Sequence, residues 1–426
     1  MSLHLTAFIL VLIVLFLFKA PIWSSLLLSS TTYLILSGEQ LTLVARKSVA
    51  GMDSFLLMAI PMFILAAELM NHCGITTYLF RFANSIVGWI PGGMAHTNVL
   101  ASMLFAGMSG SSAADAAGLG TMEIKAMTDD GYDKPFSAAI TAASSIIGPI
   151  IPPSIPMVVY SSIAGASIGR LFLGGAIPGI LMGGAMMAIC YWTAKRRSYP
   201  RNERIDLREV WISFIKAIPG LMAPIILLGG IYSGFFTPTE AASVAAVYAF
   251  LLGFLFYHTI KLTDMKQILI NTAANTAIIC FIIGAATLFG FVLTAEQIPI
   301  RLTEGLLSFS QNPYVMLMVF NILFLILGCF MELNATMLIF LPIILPVAQG
   351  LGIDLVHLGV VMVVNLMIGT LTPPFGMMTY VSAGIAKVPL HTVFRELAPF
   401  MVVLVIVLLL ITYIPGLVLW LPGLLG

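Results

Sequence analysis

The sequence predicts an all-α polytopic membrane protein built on inverted repeats, each with a re-entrant helical hairpin and a broken helix. Three observations carry this. Of 426 residues, 60% are hydrophobic and 9% are charged, whereas soluble domains carry roughly 25% charged residues. So few charges cannot cover a surface, so most of it must face lipid. Apolar runs near or above the ~20 residues needed to cross a bilayer recur along the whole chain. They are continuous, which excludes the alternating ~10-residue segments of an outer-membrane barrel. Third, one pattern of backbone breakers occurs twice. Gly107, Gly131, Gly148 and Pro152 return as Gly328, Gly352, Gly369 and Pro373, each 221 residues later. Residues of about 105–165 thus align with 326–386 without a gap. Helix breakers at matched positions in two halves point to a transporter's binding site.

The spans follow in order. Continuous apolar segments place them at about 3–18, 20–38, 54–72, 137–165, 171–194, 218–235, 238–257, 268–293, 357–385 and 396–420. No basic residue precedes the first run and Lys19 follows it, which suits a retained span rather than a cleaved signal peptide. Two stretches, about 94–128 and 313–349, are interrupted near the middle by polar and small residues. They read as hairpins, because non-helical backbone at membrane depth survives only when buried in protein or lining a wet cavity. Segments 74–90 and 300–310 precede the hairpins at matching places. Segment 204–217 mixes charges with Leu207, Trp211 and Phe214 and reads as a helix lying flat at the interface. The resulting division is 1–53, N-terminal spans; 54–170, first repeat; 171–260, linking spans; 261–390, second repeat; and 391–426, C-terminal span.

Lys195, Arg196, Arg197, Arg201, Arg204 and Arg208 form the densest basic loop, which is expected in the cytoplasm. The first hairpin then enters from the cytoplasm. Three spans separate the repeats, so the second hairpin enters from outside and the repeats are inverted. Both termini fall outside, and Arg46 and Lys47 are exceptions to the rule. A net charge of +1 offers no footprint for nucleic acid. Cys73, Cys190, Cys280 and Cys329 lie far apart in apolar stretches and read as small buried hydrophobes.

The first hairpin turns at Met108-Ser109-Gly110-Ser111-Ser112-Ala113-Ala114-Asp115 and the second at Met331-Glu332-Leu333-Asn334-Ala335-Thr336. Polar groups at that depth are expensive unless used or satisfied. Plain helix capping by Ser112, Asp115, Asn334 and Thr336 is the bland alternative. Gly148 to Ser154 and Gly369 to Phe375 each contain a Pro-Pro pair, which must open the helix. Opening is expected to free the carbonyls of Ser144, Ser145 and Gly148, and of Gly369 and Thr370, for a bound sodium ion; a simple kink is the alternative. Carbonyls and hydroxyls suit a hard cation, while helix N-termini suit a carboxylate. Glu332 occupies the position of Ser111, and it could bind a cation, accept substrate hydroxyls or carry a proton. Ser109 and Ser154 are candidate donors to a substrate carboxylate. Thr237-Pro238-Thr239-Glu240 reads as a capping box opening a span. Gly183-Gly184-Ala185 is expected to allow close helix packing.

The runs Phe105 to Asp115, Gly148 to Ser154, Phe236-Thr237-Pro238-Thr239-Glu240-Ala241-Ala242 and Gly369 to Pro374 together resemble the large membrane subunit of the tripartite ATP-independent periplasmic (TRAP) transporters. The resemblance covers nearly the whole chain. It implies sodium-driven uptake of an organic acid across the bacterial inner membrane, by an elevator in which a transport domain holding both hairpins slides past a scaffold. It implies two partners, a small four-helix membrane subunit and a periplasmic substrate-binding protein. Nothing precedes Met1, so the small subunit is expected as a separate chain. Family substrates include C4-dicarboxylates and sialic acids, and overall similarity favours the sialic acid branch. The family's two sodium sites carry over as Ser109, Ser111, Ser112, Ser145, Gly148 and Pro152 for the first, and Glu332, Asn334, Gly369 and Thr372 for the second. The tips depart from the Ser-Asn-Thr signature of related dicarboxylate carriers.

Two other classes compete. Gly107-Met108-Ser109-Gly110 fits the Gly-x-Ser-Gly pattern of intramembrane serine proteases, but such a serine needs a histidine base at similar depth. His4, His72, His96, His258, His357 and His391 all lie in or near predicted span ends. Channels also use re-entrant loops and carbonyl ligands, but inverted repeats around two closed tips suit alternating access better.

Overall fold

The computed structural model describes residues 3–18 and 20–425, so Lys19 lies outside the described residues. Among these residues every regular element is a helix. The chain opens with α1 (Leu3–Leu17), α2 (Ile22–Ser37) and α3 (Thr42–Met52), then turns through a short 3-10 segment into α4 (Ala59–His72) and α5 (Ile75–Val87). The first hairpin is α6 (Gly93–Ser109) and a returning arm. That arm starts as α7 (Ser112–Ala114), passes through a π-helical turn at Asp115–Leu119 and ends as α8 (Gly120–Asp129). The first broken span is α9 (Lys134–Ser145) and α10 (Ile155–Ala164). Then come α11 (Ile168–Arg197), α12 (Leu207–Tyr232), α13 (Pro238–Leu251), α14 (Leu262–Ala295) and α15 (Ile298–Phe309). The second hairpin is α16 (Pro313–Phe330) and α17 (Leu333–Gly350), and the second broken span is α18 (Leu355–Gly369) and α19 (Met377–Ala386). The chain closes with α20 (Leu390–Tyr413) and α21 (Gly416–Leu425).

The 221-residue offset survives at atomic detail. Ser109 and Phe330 end the first arms, Ser112 and Leu333 begin the second, and Lys134 and Leu355 begin the broken spans. The N-caps match too: Ser111 with Glu332, and Asp133 with Asp354. The repeats are inverted. Asp133 pairs with Arg197 at 3.3 Å and Asp354 with Arg170 at 4.0 Å. Arg170 and Arg197 stand at opposite ends of the 30-residue α11, which is roughly 45 Å long at the usual rise. Equivalent caps at opposite ends of one rod require antiparallel repeats. Tyr160, late in the first broken span, donates to the carbonyl of Leu355, at the start of the second, at 2.7 Å.

By length and composition, seven described helices can cross a membrane alone. Two of these are α16 and α17, but their joint closes beside the second helix break, so they are the arms of one hairpin. The pair α3 and α4, bent by 67°, makes a further crossing. Its counterpart in the second repeat, α14, is straight enough to run 34 residues. The stretch holding Arg46 and Lys47 is thus helical, and Lys47 finds a partner in the ring of Phe291, 4.7 Å away.

Segment 204–217 is not a separate interfacial element. Leu207 onward forms the first turns of the single 26-residue α12, fastened to α5 by a two-pronged pair between Arg81 and Glu209 at 2.5 and 3.0 Å. The expected capping box is present: Glu240 accepts from the Thr237 backbone at 2.8 Å, and Thr237 from the Glu240 backbone at 3.3 Å. Gly183 packs so closely on Met103 that a Cβ would overlap its side chain, whereas Gly184 faces open space. Helix α11, read from sequence as one of the linking spans, packs on α6, α18, α20 and α21 and barely on α12. Its Gly174 meets Val356 and Val360 of α18, and Gly175 and Gly179 meet the first helix break. At its far end Arg197 also binds Glu396 of α20 at 2.8 Å, and Tyr199 donates to Asp133 at 2.7 Å. Burial and the Asp133 carboxylate push the Tyr199 phenol up to about 12, so it stays a donor across the physiological range.

Candidate functional site

The two tips and the two helix breaks meet around one cavity of about 780 Å³. The first tip contributes Ser111 and Ser112, the second Glu332 and Asn334, and the breaks Pro149, Met367 and Thr370. Each tip is a two-residue interruption, Gly110-Ser111 and Met331-Glu332. Only glycine fits at 110, with φ +59° and the Pro153 carbonyl 2.6 Å from where a Cβ would stand. A Cβ on Gly148 would sit 2.7 Å from Asp115 Oδ2 and 3.2 Å from the Ser111 backbone. The first tip therefore presses against the first break, at the middle of a crossing span. In the second repeat Gly369 touches Gly328 backbone to backbone, with a Cβ landing 2.6 Å from its Cα. Both Pro-Pro bonds are cis.

Most of the carbonyls expected to be freed by the breaks are occupied. Ser144 and Ser145 accept from Ile147 and Gly148, Gly369 accepts from Thr372, and Thr370 accepts from Met378. The chain tightens into short turns at each break and recovers its own hydrogen bonds. The carbonyls without a backbone donor at the two breaks include those of Gly148, Pro152 and Pro153, and of Thr372, Pro373 and Pro374. A carbonyl has two lone pairs, so those of Ser145 and Gly369 keep one for an ion. The side chains of Ser145 and Thr372 are tied to Ala142 and Ile368.

Two candidate substrate ligands stand off the cavity. Ser154 is fully buried, donates to the Pro149 carbonyl and caps α10 through Met157 at 3.3 Å. Ser109 is buried and donates to Asp115 at 2.5 Å. Its partner is a carboxylate rather than a histidine. Glu332 faces the cavity while capping α17. It accepts from the Ala335 backbone at 3.0 Å and from Asn334 Nδ2 at 2.9 Å. Asn334 Oδ1 has no partner.

Capping is therefore real at Ser111 and Glu332, but it leaves donor atoms over. Among the described residues no group of three or more His, Cys, Asp or Glu is gathered; the donor set is carbonyls and hydroxyls at the first cleft, and carbonyls with the Asn334 amide and the Glu332 carboxylate at the second. That chemistry suits an alkali cation. No Lys or Arg lines the cavity. The facing wall, from α4 and α14, supplies Glu68, Asn71, His72 and Asn275. Sequence reasoning missed these four. Their only signal is polarity within apolar spans, since they belong to no repeated motif.

The comparisons with known proteins agree over the whole length. Residues 9–417 match the family described as "Tripartite ATP-independent periplasmic transporter, DctM component". The chain is 44% identical to the sialic acid TRAP transporter large permease SiaM of Vibrio cholerae, covering 95% of each. It is 42% identical to the C4-dicarboxylate large permease DctM of Pseudomonas aeruginosa, covering 93% of this chain and 92% of that one. It is 34% identical to the 2,3-diketo-L-gulonate large permease YiaN of Escherichia coli, covering 93% of each. Among solved structures, the YdaH transporter of Alcanivorax borkumensis shares the fold, with TM-score 0.65 at 14% identity over 88% of this chain and 87% of that one. The chain belongs to the DctM family and is a TRAP transporter large permease.

Proposed function

We propose that this permease takes up an organic acid, sialic acid in preference to a C4-dicarboxylate, together with sodium ions across the bacterial inner membrane. The observation that carries the proposal is the convergence of two tip-and-break clefts on one cavity without a cationic side chain. A carboxylate entering that cavity needs positive charge. The N-termini of α10, α17 and α19 supply part of it. Sodium ions held at the clefts supply the rest, so substrate and ion bind as a unit. The first ion takes the Gly148 and Pro152 carbonyls with the hydroxyls of Ser109, Ser111 and Ser112. The second takes Glu332, the Asn334 amide oxygen and the carbonyls of Gly369 and Thr372.

Sialic acid is favoured by the 44% identity to SiaM and by the size and polarity of the wall formed by Glu68, Asn71, His72 and Asn275. The movement proposed is an elevator. The hairpins and broken spans, with α11 and α20 packed on them, form the mobile body, and α1–α4 with α12–α14 the fixed one. The family is tripartite, so a small membrane subunit and a periplasmic substrate-binding protein are the proposed partners. Reconstitution of all three in liposomes tests the whole reading. Labelled sialic acid should accumulate only with an inward sodium gradient and exceed succinate. Uptake without sodium, or succinate preferred, would overturn the ion or the substrate respectively.

A further inference from the structure

We propose that Glu68 discriminates between substrates: its carboxylate accepts hydroxyl and N–H donors of a polyhydroxylated monocarboxylate and repels the second carboxylate of a dicarboxylate. This rests on the organic acid reading above and names the residue behind the substrate preference. Glu68 is half-buried on α4 and lines the cavity from the wall that faces the tips. A carboxylate within an apolar span is costly unless it is used. Among the described residues it forms no ion pair, and only its backbone carbonyl takes part in a side-chain hydrogen bond. Its neighbours repeat the pattern. Asn71 Oδ1 is buried without a partner. His72 Nδ1 donates to the Glu68 carbonyl at 2.9 Å, which leaves Nε2 of the neutral ring as an acceptor. The wall is therefore a row of acceptors without donors.

No protein group answers these acceptors from inside the cavity. No Lys or Arg lines it, and the other acid in the lining, Glu332, is engaged in capping α17. The donors must come from the ligand. Sialic acid brings several hydroxyls and an amide N–H, and its one carboxylate is committed to the tips. Its remaining groups meet Glu68 as neutral donors, and a hydrogen bond to a charged acceptor is stronger than a neutral one. A C4-dicarboxylate also commits one carboxylate to the tips. Its second then enters a cavity that holds no cationic side chain and faces Glu68, where like charges repel. A site of buried acceptors also rejects an analogue that lacks the matching donors. One side chain thus attracts the first class of acid and opposes the second, and selectivity is set by the difference between them.

The test is calorimetric binding of three ligands to the membrane subunits in lipid nanodiscs at saturating sodium, without the periplasmic protein and its own selectivity. The ligands are N-acetylneuraminate, succinate and succinamate, in which an amide replaces the second carboxylate. In the wild type, succinamate should bind about threefold to tenfold more tightly than succinate, the effect of removing a like charge across a wet cavity. Glu68→Gln should tighten succinate by a similar factor, erase the advantage of succinamate and weaken N-acetylneuraminate about threefold to tenfold. The comparison of succinate with succinamate needs no variant, so misfolding of Glu68→Gln leaves a test standing. Succinamate no tighter than succinate in the wild type overturns the proposal, and so does a Glu68→Gln protein that keeps the wild-type ratio of all three affinities. Wild-type preference for succinate over N-acetylneuraminate overturns the sialic acid reading, while the succinamate comparison still decides the role of Glu68. Absence of binding by all three overturns both.

Discussion

Ser111 and Asn334 carry the sharpest residue-scale test. Each sits at a tip, faces the cavity and keeps an acceptor oxygen that capping does not exhaust. A polar contact to a charge is worth about 1.5–3 kcal/mol. Ser111→Ala or Asn334→Ala should therefore weaken sodium affinity about tenfold to a hundredfold, read as the sodium dependence of uptake in liposomes, with assembly unchanged. Unaltered sodium dependence in both would remove these ligands from the account. The sequence shows these residues because polar groups at two tips repeat at one offset. Ser154 misleads for an instructive reason: a serine just after a Pro-Pro break is equally what a helix start needs, and here the start of α10 claims it. Glu68, Asn71, His72 and Asn275 escape notice because polarity on an isolated span does not say which face meets a cavity.

At the scale of elements, the breaks work only because glycine lets backbones touch. Gly369 and Gly328 meet with no side chain between them. A methyl group there meets backbone on the other side, which cannot rotate away, and overpacking costs about 1–3 kcal/mol. Gly369→Ala should lower thermal stability and abolish sodium-dependent stabilisation, measured by thermal unfolding of the purified protein with and without sodium. Gly229→Ala on α12 meets nothing within 4 Å and should leave both unchanged. If Gly369→Ala behaves like Gly229→Ala, the close approach does not shape the second cleft. Hairpins and broken spans are legible in the sequence to within a few residues, because breakers interrupt continuous apolarity. Helix α3 is not, because Arg46, Lys47 and Ser48 dilute its hydropathy. The charges at 206–209 likewise disguise the start of α12 as a separate element. Nor does the sequence reveal that the helix recloses so quickly around each Pro-Pro pair that Ser144, Ser145, Gly369 and Thr370 regain donors.

For the whole molecule, the question is which helices move together, and hydropathy is silent on it. Helix α11 follows the first repeat in sequence yet packs its glycine face on the helix break and on α18, so the body containing the clefts is assembled from segments far apart in the chain. In the elevator proposed above, this body slides past the opposing surface. Where the first tip meets the rest, Met108 and Gly110 face Ala66 and Met70 of α4, Ala223 and Leu227 of α12 and Ala245 of α13, around a small apolar gap. The apolar side chains around the gap present no hydrogen bonds to break, so relative motion there costs no polar contact. Two interventions should stop it. Ala245→Trp overfills the gap and should abolish uptake while sodium binding at the second cleft persists, because Glu332, Asn334, Gly369 and Thr372 do not line that gap. Paired cysteines at Met70 and Met108, in a background lacking Cys73, Cys190, Cys280 and Cys329, should block uptake on oxidation and restore it on reduction. Transport that continues through the oxidised cross-link would mean that the first tip does not travel past α4, and the division into fixed and mobile bodies drawn here would have to be redrawn.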